Sequence, residues 1–77
     1  MSDQIADITM HIDENTSHED REKLRDKLFG LDGVMAADCQ DEKPHLLVIA
    51  YDPNVVNSLA FVKTAKEQGL HAELIGL

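Results

Sequence analysis

Seventy-seven residues with 43% hydrophobic content predict one domain over 1–77 with a single modest core. Fifteen Asp and Glu against seven Lys and Arg give a formal charge of −8, which excludes nucleic acid and anionic lipid as partners and suits solubility, a cation or a basic protein surface. The start Met-Ser-Asp-Gln has no basic or long apolar leader, no apolar run is long enough to cross a membrane, and the lone cysteine, Cys39, has no disulfide partner. These features predict a cytoplasmic chain without membrane insertion.

In chain order, Ile8, Met10 and Ile12 alternate with Thr9 and His11, the period of a strand with one buried face. Leu24, Leu28 and Leu31 then form a helical stripe at i, i+4 and i+7, with acidic residues leading and Lys23, Arg25 and Lys27 toward the end, as the helix dipole favours. "LDGV" (Leu31 to Val34) provides a glycine stop before a second strand, Val34 to Gln40. A polar turn, Asp41-Glu42-Lys43-Pro44, leads into the apolar strand "HLLVIAY", which Asp52-Pro53 stops. Asn57 caps a second helix whose expected stripe is Leu59, Val62 and Ala65, with Lys66, ending at Gly69. Leu70, Ala72 and Leu74 alternate with His71, Glu73 and Ile75 in a last strand.

The order strand, helix, strand, strand, helix, strand makes two crossover units. They predict an α+β, ferredoxin-like βαββαβ sandwich: a four-stranded antiparallel sheet with two helices on one face.

With these elements in place, the chain resembles the heavy-metal-associated domain family of copper chaperones and of the N-terminal modules of metal-pumping ATPases. "ITMHI", "LDGV", "YDP" and "QGLHAEL" carry the resemblance in order, over residues 5 to 75. The family's metal motif is Met-Thr-Cys-x-x-Cys, and counting back from Gly33 sets it on Asn15 to Asp20. Thr16 matches, but Ser17 and Asp20 stand at the cysteine positions and Asn15 at the methionine. Leu70 stands where bacterial relatives often have a tyrosine beside the metal loop. Soft ions need thiolates, so the resemblance implies the fold with its defining chemistry missing. Neither a metal nor another cofactor is expected.

The loop "TSHED" has a plain structural reading. Ser17-x-x-Asp20 is a capping-box pattern, Glu19 and Asp20 suit the positive end of the helix, and Ser17 and Asp20 fall in line with the Leu24 stripe. The carboxylates around it, Asp13, Glu14, Glu19, Asp20 and Glu22, read as a solvated end or as a docking patch for a basic partner. His11, His18, His45 and His71 read as surface residues, although strands one and four side by side would make His11 and His71 neighbours. The resemblance implies an apolar, inward position for Cys39, which then reads as a small hydrophobe. No glycine-rich phosphate loop or nucleophile elbow is present, so an enzyme is not expected.

The third strand stands out. With Leu47, Ile49 and Tyr51 toward the helices, Leu46, Val48 and Ala50 face the other side of the sheet, joined by Ile75. They read either as tolerated surface aliphatics or as a covered surface. The expectation is a non-enzymatic interaction or regulatory module, binding a protein partner or a second copy of itself through this face, with self-association as the simplest version. The alternative is a metallochaperone for heavy-metal transport or detoxification that holds a transition-metal ion through His11, His18, Asp20 or Cys39.

Overall fold

Strand alternation places Met10 and Ile12 of β1 (Ala6–Ile12) fully inside, and Leu47 and Ile49 of β3 (Lys43–Tyr51) do the same. These side chains form the floor on which two helices pack. The computed structural model describes residues 4–75, ordered as β1, α1 (His18–Phe29), β2 (Val34–Gln40), β3, α2 (Leu59–Glu67) and β4 (Ala72–Leu74). The strands form one antiparallel sheet in the order β2-β3-β1-β4, with Ile8 opposite Ile49 and Met10 opposite both Leu47 and Leu74. This is the expected ferredoxin-like arrangement.

Leu24 and Leu28 of α1 are fully buried, and Phe61 and Ala65 of α2 join them over the sheet. The Phe61 ring meets Tyr51 edge-on at 5.0 Å. Three local expectations need correction. First, α1 ends at Phe29 with Gly30 as its cap, so Leu31 packs on the core from beyond the helix. Gly33 instead makes the turn into β2 at φ 93°, where an added Cβ would lie 2.8 Å from the Val55 Cβ.

Second, the inward face of α2 is Phe61, Thr64 and Ala65, and Leu59 is 68% exposed. At about 100° per residue, positions 59 and 65 lie about 120° apart, too far to share one stripe. Asn57 does cap this end: its Oδ1 accepts from the Leu59 N–H at 2.8 Å.

Third, β4 is shorter than expected. The Leu70 N–H bonds the Ala65 carbonyl and the His71 N–H bonds the Glu14 carboxylate, so both are lost to the ladder. The Ile75 N–H bonds the Thr9 carbonyl at 2.8 Å, which holds Ile75 beside the open face.

Candidate functional site

The segment between β1 and α1 takes its shape from Ser17 and Arg21. Ser17 is extended (φ −74°, ψ 164°), and its hydroxyl accepts from the Asp20 N–H at 3.1 Å, satisfying a donor that the helix leaves open. The Asp20 side chain is exposed rather than in line with the buried stripe. Arg21 takes that inward place, one turn before Leu24, with its side chain only 7% exposed. Its Nη1 donates to the Thr16 carbonyl at 2.6 Å and to the Thr16 hydroxyl at 3.4 Å. Its Nη2 donates to Asp41 Oδ1 at 2.7 Å, while the buried Nε has no partner among the described residues.

Asp41, in the β2–β3 turn, also meets His18, whose Nδ1 is 2.9 Å from the same oxygen. The other ring nitrogen lies 3.2 Å from Glu22, one turn along the helix. The hydrogen bond to Asp41, then the charges of Asp41 and Glu22, raise the His18 pKa above its ordinary value. The hydrogen bonds from His18 and Arg21 hold the Asp41 carboxyl below its own. Arg21 and Asp41 were not among the residues singled out from the sequence. The signal for Arg21 was its place on the Leu24–Leu28 stripe; Asp41 gave none, because only the tertiary fold brings its turn to α1.

The remaining histidines divide between two places. His71 pairs with Glu14, whose carboxylate bonds both the His71 ring and its backbone N–H; this raises the His71 pKa and lowers that of Glu14. His11 stacks on His45 with centroids 5.7 Å apart, and lies 3.3 Å from Asp13. His45 Nδ1 meets the Ile12 carbonyl at 2.7 Å. The His11–His71 neighbourhood weighed beside the surface reading does not form, since each histidine has a different partner. Cys39 is partly buried against the core. Among the described residues, no group of three or more His, Cys, Asp and Glu side chains could hold a metal ion.

On the face away from the helices, register sets three rows. Asp38, Val48 and Thr9 make one; Ala36, Ala50 and Asp7 the next; Leu46, His11 and Glu73 the third. Val48 is 46% exposed and Ile75 50%, while Leu46 and Ala50 are half-buried. Thr9, Gln40, Lys43, Leu46 and Val48 line a shallow groove here.

No family model matches the chain, and no curated protein matches it significantly. Solved structures do match. A copper binding domain from HMA7, a P-type ATPase, is 18% identical, with 91% of this chain and 93% of that one covered at a TM-score of 0.81. Oxidized MerP from Ralstonia metallidurans is 14% identical, covering 92% and 97% at 0.82. A putative copper-ion-binding protein from Bacillus anthracis is 17% identical, covering 94% and 100% at 0.83. Identities this low establish a shared fold. No helix among the described residues is long and apolar enough to cross a membrane.

The donors at the loop do not fit a soft metal ion. A hydroxyl engaged in capping and an exposed carboxylate stand there, with a guanidinium cation behind them.

Proposed function

We propose that the chain is a non-enzymatic interaction or regulatory module that keeps a heavy-metal-associated-like fold without the thiolate site. It meets a protein through the open sheet face at Leu46, Val48, Ala50 and Ile75. The observation that carries this reading is the exposure of Val48 (46%) and Ile75 (50%) on a face that in a solitary domain of this kind is solvated and polar. Arg21 adds support, because a permanent cation lodged behind the loop repels a second one.

The test is a photoreactive residue introduced in cells at Val48, with Glu67 on α2 as the control position. Crosslinking from Val48 well above that from Glu67 is expected; equal yields overturn the interface. The names of the neighbouring structures favour a second reading, metal handling through His11, His18, Asp20 or Cys39. Native mass spectrometry with Cu(I), Zn(II), Ni(II) and Co(II) separates the two. One tightly held ion per chain, lost on substituting those residues, replaces our reading with that one.

A further inference from the structure

The charges bordering the apolar strip narrow what can cover it. Asp38 lies beside Val48 on β2, Asp7 beside Ala50 on β1, and Glu73 beside His11 on β4. All three carboxylates are exposed and have no ion-pair partner among the described residues. Lys43 lines the same groove as Leu46 and Val48.

Both flanks of the β3 strip are therefore acidic. A two-fold pairing of this face would gather six carboxylates, three from each copy, in one interface between chains that each carry −8. Burying the strip under another protein brings those carboxylates into lower dielectric, where uncompensated charge costs most. Cations on the incoming surface convert that cost into attraction. Two strand spacings separate the β2 and β1 flanks, so the matching cations stand about 10 Å apart across the covering ridge.

We propose that the open face receives a protein surface whose apolar ridge is bordered by lysine or arginine, and not a second copy of this chain. This rests on the face being an interface.

The test uses the full chain, labelled with ¹⁵N, and two synthetic amphipathic helical peptides, one of leucine and lysine and one of leucine and glutamate. The lysine peptide should shift the amides of residues 46–50 and of Ile75, and the glutamate peptide should not. In the variant Asp38→Lys/Glu73→Lys the lysine peptide should bind about tenfold more weakly, and the glutamate peptide should begin to bind. Shifts confined to Glu19, Asp20 and Glu22, or affinity unmoved by charge reversal, overturn the proposal. So does a wild-type dimer in sedimentation that Val48→Asp dissociates, an outcome that leaves the interface reading standing. Equal crosslinking from Val48 and Glu67 removes the interface itself.

Discussion

Arg21 Nη2 lies 2.7 Å from Asp41 Oδ1, joining the first turn of α1 to the hairpin turn between β2 and β3. A buried cation thus ties the helix start to a residue twenty positions along the chain.

Arg21 contributes through its buried stem and its bonds, while Asp41 is 66% exposed and screened by water. Arg21→Ala should cost about 2–3 kcal/mol in urea denaturation, since it empties a packed position and removes three bonds. Arg21→Met keeps the volume without the charge and the orphaned Nε, and should stay within about 1 kcal/mol of the parent. Asp41→Ala should destabilise the parent but not the Arg21→Met protein, and a double-mutant cycle reads that coupling.

Stability should peak on the acid side of neutrality. The His18 and His71 pKa values are raised above 6.5, so their contribution is complete below that value and is lost as pH rises through their folded values. Those of Glu14 and Asp41 are lowered from 4.5 and 3.8, so theirs is complete above those values and is lost as pH falls through the depressed ones. The urea midpoint is then highest between about pH 4.5 and 6.5. His18→Gln and His71→Gln should each flatten the decline on the alkaline side and also shrink the loss on the acid limb, because each imidazole is the first cause of its partner carboxylate's lowered pKa; a decline unchanged in both variants would contradict these pairings.

Gly33 and Gly69 both have positive φ, at 93° and 83°, but only Gly33 is crowded. Gly69→Ala meets no atom within 4 Å and should cost about 1–2 kcal/mol for the backbone alone. Gly33→Ala adds contacts at 2.8 Å and 2.9 Å with Val55, and should cost about 3 kcal/mol or more. Thermal melts of the two variants measure the difference.

The corrected face of α2 makes a sharp pair of expectations. Phe61→Ala empties a fully buried position and should cost about 3–5 kcal/mol, most of what a chain this small has. Leu59→Ala, at 68% exposure, should fall within about 0.5 kcal/mol. Similar losses from both would restore the stripe read from the sequence.

How much of the molecule was legible depended on the range of the interaction involved. Alternation at Ile8, Met10 and Ile12 and along Leu46–Tyr51 is a property of neighbouring residues, so the strands, their faces and the element order could be read directly. Helix phase was less secure, because the spacing of Leu59, Val62 and Ala65 also fits a drifting row, and only packing against the sheet chose Phe61.

The sequence by itself determined the architecture, the acidic surface, and the absence of any thiol at the loop, since these follow from composition and local period. The tertiary structure alone decided that Arg21 is buried, that His18 joins Asp41, that His71 joins Glu14, and that Asp38 and Asp7 flank Val48 and Ala50. A charged side chain goes inside only where a partner from elsewhere in the chain satisfies it, and sheet register sets which side chains share a row. Neither condition can be read from neighbouring residues.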